Sequence, residues 1–250
     1  MKGKKIMIVE AIERILSLAG PKTIVVTGRD GIDRVFGDRS MIQVDPPPVK
    51  PLVVGTLTSF CDFVNAGKDS DACVADYVLV KNQETVEAFS VLEPETMSRR
   101  YLISAVVPKI SFNFGYMYDL EAFIIALQAY FAPTEHRDQL LSAVSGVKVA
   151  KGLTIKDNGI SQTVHTESGV SRVENTVLPN PVILKPFRTF LEIDQPESEF
   201  VFRMKSTDKD GVGCQLVEAD GGAWKILAMQ RILSFLDEKL RTDSGLLLLS

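Results

Sequence analysis

The chain has 250 residues, of which 45% are hydrophobic and 24% are charged, a balance that is typical of a folded globular protein and excludes wholesale disorder. The net charge of −4 and the sequence pI of about 5.4 argue against a protein that coats nucleic acid, because that role needs a surplus of lysine and arginine. No apolar run approaches the roughly 20 residues that cross a bilayer, so we expect a cytoplasmic protein without membrane contact.

The first elements are a predicted helix and two predicted strands. Apolar residues up to Ala19 recur on one helical face, and Glu10 and Glu13 interrupt them, which excludes a signal peptide. Residues 23–27 and 41–44 are rich in apolar and β-branched side chains and predict strands.

A proline-rich segment then predicts a domain boundary. The sequence DPPPVKP at 45–51 cannot be a helix or a central strand, because proline lacks the amide donor that both require. We therefore expect an N-terminal extension at 1–50, a main domain at 51–242 and a tail at 243–250. The four consecutive leucines of the tail either dock on the body, pack on a neighbouring subunit or are an artificial addition.

One short helix and three strands follow the connector. Residues 57–64 carry apolar side chains at helical spacing, and Gly67 ends the helix. Strands are predicted at 77–81, 85–92 and 101–107.

The centre of the chain predicts an αα-hairpin. Asp119 is a suitable N-cap for the helix LEAFIIALQAYF, Pro133 breaks that helix, and Thr134 caps a second one that runs through Val144. The first of these helices is apolar on nearly every side. Such a helix is either buried or packs its second face on a partner subunit, so we expect a homo-oligomer.

The C-terminal half predicts a meander that is followed by one long helix. From Val147 to Met204 the apolar period is two, with a hairpin turn at 157–159, and six or seven strands result, among them 189–193. Apolar residues from Ile226 to Leu240 then repeat at intervals of three and four. The predicted class is α+β: an antiparallel β-meander packed by a long C-terminal helix, with the central αα-hairpin.

The common catalytic and nucleotide-binding motifs are missing from the sequence. Gly67 and Lys68 do not form a phosphate loop, because Asp69 stands where that motif needs serine or threonine. A calcium loop beginning at Asp208 fails because Ala219 occupies the position of its glutamate. We therefore expect no catalytic residues and no cofactor.

Histidine and cysteine give no metal or nucleophile pattern. His136 and His165 are the only histidines, and their positions give no spacing argument for a metal site. Cys61, Cys73 and Cys214 are odd in number and widely spaced, so reduced and mostly buried thiols are expected.

Two arginines are the strongest candidates for a binding site. Arg188 and Arg203 stand beside aromatic residues in predicted strands. If the sheet brings them to Asp194 or Glu218, the result is either an internal ion-pair network or an anion-binding face for a phosphate or nucleotide.

The acidic residues of this region also have two interpretations. Paired carboxylates can serve acid–base or metal chemistry, but strand alternation places Glu192 and Asp194 together on the solvent face. Glu218 is expected to do the same. Asp220 is expected to cap the last helix, after a turn in which Gly221 and Gly222 have positive φ.

Four segments in order resemble the YfdQ-like family of phage and prophage proteins. They are FNFGYMYDLEAFIIALQAYF, KDNGISQTV, RTFLEIDQPESEFVFRMK and CQLVEADGGAWKILAMQRILSFL, and the resemblance covers residues 52–240. It implies an origin in the accessory region of a temperate phage genome and no assigned catalytic residues. The positions that match the family pattern are Arg188, Asp194, Gln195, Pro196, Arg203, Glu218, Gly221, Gly222 and Trp224.

The leading hypothesis is therefore a non-catalytic phage accessory protein that acts by binding in the host cytoplasm. Counter-defence is its sharpest form, either sequestering a nucleotide signal or blocking a host defence protein. The candidate binding residues are Arg188, Arg203, Asp194, Gln195, Glu218 and Trp224.

Other functions remain as alternatives. One is a recombination or replication accessory protein that binds nucleic acid through a basic groove with Lys148, Lys151, Lys156, Arg172 and Lys185. Another is a metal-dependent enzyme that uses the acidic residues around Asp194 and Glu218. A role in virion assembly accounts for most of the remaining possibilities.

Overall fold

The structure is a computed structural model in which two compact units, Met1–Val49 and Lys50–Ser250, are distinguished. The residues that it describes are 11, 14, 17–18, 23–28, 33–37, 50–67, 74–93, 97–109, 112–149, 152–157, 162–168, 172–177, 180–207, 211–240 and 245–250.

The first unit contains an antiparallel hairpin. Strand β1 (Thr23–Thr27) pairs with β2 (Asp33–Gly37), and the Thr27 hydroxyl donates a hydrogen bond of 2.5 Å to Asp33 Oδ1 across the end of the ladder. Strand β1 was predicted. The predicted strand at 41–44 and most of the proline-rich connector lie outside the described residues.

The second unit begins with a five-stranded sheet. Its strands lie in the order β14-β4-β5-β6-β3; the two outer pairs are parallel and the two central pairs are antiparallel. The strands are β3 (Leu52–Val54), β4 (Tyr77–Asn82), β5 (Thr85–Phe89), β6 (Tyr101–Val106) and β14 (Leu247–Leu249). The leucine tail therefore docks on the body of the protein, which is the first of its three expected fates.

Two helices cover one face of this sheet. Helix α1 (Leu57–Ala66) begins at Thr56, whose side chain accepts the Ser59 N–H, and ends at Gly67 with φ 55°. Helix α4 (Trp224–Lys239) is the predicted C-terminal helix. The buried apolar residues between the helices and the sheet are Leu57, Phe60, Cys61, Val78, Val80, Val86, Ala88, Ile103, Ala105, Phe190, Ile193, Ile232, Leu236 and Leu240.

The position of α4 differs from the expectation. It was expected to lie across the C-terminal meander, but Ile232, Leu236 and Leu240 pack on strands that come early in the chain. The physical reason is the number of apolar side chains on that sheet, each worth about 2 kcal/mol when buried. Helix α1, with only 10 residues, is too short to cover them alone.

The second layer of the unit is a four-stranded sheet under the αα-hairpin. Its strands lie in the order β11-β12-β13-β7, all antiparallel. They are β7 (Tyr118–Asp119), β11 (Val182–Leu184), β12 (Ser198–Thr207) and β13 (Gly211–Glu218), and the helices on them are α2 (Leu120–Tyr130) and α3 (Glu135–Val149).

The αα-hairpin and both of its caps are confirmed. Asp119 Oδ1 accepts the Ala122 N–H at 2.8 Å, and Thr134 Oγ1 accepts the Arg137 N–H at 3.2 Å. Helix α2 buries Phe123, Ala126 and Leu127. Its opposite side exposes a single large apolar residue, Ile125, so it does not offer the broad second apolar face that the oligomer argument used.

The predicted meander is present in two parts. Strands β8 (Gly152–Asp157), β9 (Gln162–Ser168) and β10 (Arg172–Val177) form one antiparallel sheet, and β11 to β13 belong to the other. Helices and antiparallel-rich sheets thus make an α+β fold, as predicted. Within the part of the chain that the structure describes, every helix is too short or too polar to span a lipid bilayer.

Candidate functional site: a pocket at the start of helix α4

The loop between β11 and β12 is shaped by the side chain of Gln195. Its Oε1 accepts the Arg188 N–H at 3.2 Å, and its Nε2 donates to the carbonyls of Phe190 and Ile193 at 2.9 and 3.2 Å. These bonds satisfy backbone groups that a strand would pair with a neighbour. Phe190 and Ile193 also enter the same core at a spacing of three, which strand alternation does not allow. The predicted strand at 189–193 is therefore wrong.

Arg188 leaves this loop and is buried, with 8% of its side chain exposed. Nη1 donates to Glu218 Oε1 at 2.5 Å, and Nη2 donates to the Ser198 hydroxyl. The guanidinium carbon lies 3.7 Å from the ring centroid of Trp224 and 5.6 Å from that of Phe200. This arrangement corresponds to the internal ion pair, the first of the two roles considered for Arg188.

The charge of Arg188 is thus already engaged. Burial lowers the pKa of Arg188 to about 10, against the opposing effect of Glu218 and Asp220. The guanidinium therefore stays protonated at neutral pH and is neutralised by Glu218. An anionic ligand would have to compete with Glu218 for Nη1 and with Ser198 for Nη2, whereas Nε is buried and has no hydrogen-bond partner.

Two glycines turn the chain into helix α4. Gly221 and Gly222 have φ values of 63° and 84°, as predicted, and these conformations suit glycine because a Cβ is strained there. Asp220 Oδ1 accepts the Gly222 N–H at 2.9 Å. The N-cap position is Ala223, which makes no side-chain cap bond. The Asp220 carboxylate interacts with the amides of Gly222 and of Trp224, the first residue of the helix, so it holds the turn and the start of the helix together.

The carboxyl group of Asp220 is ionised down to low pH. Burial alone would raise its pKa, but the neighbouring Ser198 hydroxyl, the Gly222 amide and the Arg188 charge outweigh that effect and lower the pKa. Its Oδ2 is buried and has no partner at hydrogen-bond geometry. A negative charge is therefore held here with one acceptor position unused.

Trp224, the first residue of α4, has an unused donor. Its side chain is 94% buried by area, since 6% is exposed, and its indole Nε1 has no hydrogen-bond partner. An unpaired buried donor costs about 1–3 kcal/mol. Buried polar groups without partners are uncommon in native proteins, so this position is a candidate for a ligand contact.

These groups border an open pocket of about 590 Å³. Three carboxylates line it, and no lysine or arginine of the described residues does so. Lys185 approaches one of them, with Nζ 3.5 Å from Glu197 Oε1. The lining residues are Ile183, Glu197, Ser198, Glu199, Asp220, Ala223, Trp224 and Leu227.

Of the six predicted site residues, the structure brings together Arg188, Glu218 and Trp224, with Gln195 holding the loop beneath them. Asp194 lies apart on the surface, where its carboxylate meets Arg231 at 2.8 Å and Lys185 at 3.6 Å. Arg203 lies on β12, half-buried, and donates to the Phe202 carbonyl at 3.0 Å. Both arginines were predicted to lie in strands, but only Arg203 does, and Arg188 lies in the loop.

The described residues provide no side-chain cluster for metal-dependent or nucleophilic chemistry. Among the described residues, no group of three or more histidine, cysteine or acidic side chains is placed to hold a metal ion. His136 accepts the Ile183 N–H on Nδ1 at 2.8 Å, which is a structural bond. Burial raises the pKa of Cys61 to about 11 and that of Cys214 to about 12, so both thiols are protonated at neutral pH.

The basic groove of the nucleic-acid alternative lies mostly outside the described residues. Of its five residues, the structure describes the side chain of Lys185 alone, and this side chain is engaged by Asp194 and Glu197. The side chains of the others lie outside the described part of the chain, as do Cys73 and the side chain of His165.

No protein-family model, no curated protein and no solved structure matches this chain. The membership that the sequence resemblance implies therefore stays a prediction, and the site is argued from its own geometry.

Sequence reasoning did not identify the walls of the pocket. Ser198 begins β12, and Glu197 and Glu199 flank it in the segment PESEF. Ile183 comes from β11 and Leu227 from α4, and the two are 44 positions apart in the chain. The sequence signal for the pocket was Trp224, which follows shortly after Gly221 and Gly222 and so places an indole N–H at the start of a helix.

Proposed function

We propose that this chain is a non-catalytic binding protein whose pocket takes a basic side chain of a partner polypeptide. The observation that carries the proposal is the charge of the lining, which presents Glu197, Glu199 and Asp220 without a lining lysine or arginine among the described residues. A carboxylate-lined pocket attracts a cationic group and repels an anion.

The remaining walls favour a polypeptide over a small cation. Ile183, Ala223 and Leu227 are apolar, and apolar walls suit the methylene stem of lysine or arginine. Trp224 is a further, largely apolar wall of the pocket. A basic side chain therefore supplies both the cation and the apolar stem that this lining suits.

The same geometry makes a nucleotide the weaker candidate. Two cations lie beside the lining: Lys185 is engaged by Glu197, and Arg188 is stacked on Trp224 and paired with Glu218. A phosphate would have to displace Glu218 while also facing the acidic lining. Of the two forms of counter-defence, binding to a host protein is therefore the one that we propose.

The biological setting follows from the sequence resemblance. A phage accessory protein of this kind would act in the cytoplasm of the infected host and block a defence protein by occupying a basic surface on it. In this proposal the acidic pocket is the anchor, and the affinity of the whole complex comes from surrounding contacts as well.

Intrinsic fluorescence tests the proposal directly, because Trp224 is the only tryptophan. We expect a short oligo-arginine peptide to change the Trp224 emission in a saturable titration, and an oligo-glutamate peptide and adenosine monophosphate to leave it unchanged. The substitution Asp220→Asn should weaken oligo-arginine binding roughly 5- to 10-fold, the size of one lost charge contact.

The matched control is Asp237→Asn, the same change at an exposed position on α4. It removes one negative charge from the protein without touching the pocket, so it should leave the affinity close to that of the unsubstituted chain. Tighter binding of adenosine monophosphate than of oligo-arginine contradicts the proposal, and so does an equal loss of affinity in both variants.

A further inference from the structure

The five-stranded sheet has a second face that points away from α1 and α4, and we call it the outer face. Strand alternation places on it Leu247 and Leu249 from β14, Val53 from β3 and Val106 from β6, because their chain neighbours Leu248, Val54 and Ala105 pack in the core. This face is separate from the pocket and its proposed function.

A row of three aromatic rings crosses one end of the outer face, where β4 and β6 begin and β5 ends. Tyr77 and Phe89 stack with centroids 5.4 Å apart, and Phe89 and Tyr101 follow at 5.3 Å. A register shift between Ala88 and Phe89 brings Tyr101 opposite Phe89, which turns its ring outward. The guanidinium of Arg99 lies 5.1 Å from the Tyr77 centroid and covers one end of the row.

Large apolar side chains on this face are open to solvent. The exposed fractions are 70% for Val53, 46% for Tyr101, 39% for Val106, 51% for Leu247 and 37% for Leu249. Contiguous apolar surface of this kind on a soluble protein usually marks an interaction site. Strand β14 adds an open edge of three leucines without charge or proline, which are the usual protections of an edge strand.

We infer that the outer face is the interface between two copies of this chain. The face carries a pair of opposite charges, since Lys81 Nζ lies 2.8 Å from Glu87 Oε1. A twofold axis that lies in the interface, between these two residues, sets Lys81 of each copy over Glu87 of the other. The face is therefore complementary to itself, as an isologous dimer requires.

The charge of the face also argues against other occupants. Among the described residues, this face carries the Lys81–Glu87 pair and Arg99, which is stacked on the aromatic row. Nucleic acid and anionic lipid surfaces are bound by clusters of basic residues, and one stacked arginine does not make such a cluster. A nearly neutral aromatic face fits another of the same kind.

The size of the face sets the expected strength of the dimer. Three strands of five to six residues and two of three residues, at about 3.3 Å per residue and about 4.8 Å spacing, give a footprint of roughly 350 Å². Stable complexes bury about 800 Å² per partner, which is more than this footprint provides. We therefore expect a reversible dimer with a Kd of about 1–100 µM.

Sedimentation equilibrium of the full chain over a range of concentrations tests the inference. We expect a monomer–dimer equilibrium, and Tyr101→Glu together with Val106→Glu should weaken it at least tenfold. The control is Ile226→Glu, at a position 65% exposed on α4 and outside the face, which should leave the equilibrium unchanged. Circular dichroism of each variant establishes that it is folded.

Charge variants identify the partner as a second copy. Lys81→Glu and Glu87→Lys each place like charges across the proposed axis, so each variant alone should associate more weakly. A mixture of the two should form a heterodimer at least as strong as the original dimer, because opposite charges then face each other. A monomer at all concentrations overturns the inference, as does a dimer that is insensitive to Tyr101→Glu and Val106→Glu or a mixture that fails to associate.

Discussion

Two ion-pair clusters arise from the same loop, and they differ in what surrounds them. Arg188 is 8% exposed, pairs with Glu218 and stacks on Trp224, whereas Asp194 is 62% exposed and is shared between Arg231 and Lys185. Arg188 and Asp194 were both among the candidate binding residues in the sequence. The comparison teaches that the surroundings of a charge, rather than the presence of its partner, decide how much it contributes.

Removing the buried cation should have the largest effect. We expect Arg188→Ala to lower the free energy of unfolding by about 2–3 kcal/mol, because it leaves Glu218 without its cation and a gap beside Trp224. The value is at the lower end for buried pairs since Glu218 is itself 39% exposed and can be hydrated. Urea unfolding followed by circular dichroism measures it.

Arg188→Met is the matched variant for this measurement. Methionine keeps much of the packing against Trp224 but not the charge, so it should recover about 1 kcal/mol of the loss. If Arg188→Ala costs no more than about 0.5 kcal/mol, the buried cluster behaves like a surface pair and the comparison fails.

A smaller effect is expected from pH at the edge of the buried cluster. The folded-state pKa of Asp220 is lowered from 3.8 by Ser198, Gly222 and Arg188 despite burial, so its ionised form stabilises the fold. This contribution is fully present above the unfolded-state pKa and is lost as the pH falls through the folded-state value. The reverse trend would mean that Asp220 destabilises the fold when ionised.

The measurement compares the chain with Asp220→Asn across pH. The difference in melting temperature between the two should be constant from neutral pH down to about 5 and should shrink in more acidic solution. The same scan on Asp237→Asn corrects for the general effect of one surface charge.

The sequence predicted the local elements well and their partners poorly. Asp119 and Thr134 cap their helices as expected, because a cap depends on residues three positions apart. The mate of helix α4 could not be predicted, because its apolar stripe fits any apolar sheet and the choice depends on strands more than a hundred residues earlier. Periodicity carries no record of that choice.

The pocket could not be predicted from the sequence for a related reason. Residues 189–193 alternate like a strand, yet the three bonds of the Gln195 side chain make them a loop. Local alternation cannot reveal a side chain that takes the place of a ladder. Because that loop was interpreted as a strand, the pocket that its C-terminal end forms with the start of α4 was not predicted.

The exposed cluster supplies the smallest effect and the strictest test of the comparison. Asp194→Ala removes the carboxylate that Arg231 and Lys185 share, but the 2.8 Å bond from Arg231 to the Asp194 carbonyl is a backbone contact that survives. We expect a loss of at most about 0.5 kcal/mol in urea unfolding at low salt. That loss should disappear in about 1 M salt, where the Debye length is about 3 Å, whereas most of the effect of Arg188→Ala should persist because Arg188 itself is only 8% exposed and its charge is screened less. If Asp194→Ala instead costs about 2 kcal/mol, as for a buried pair, and this loss persists in about 1 M salt, exposure does not separate the two clusters.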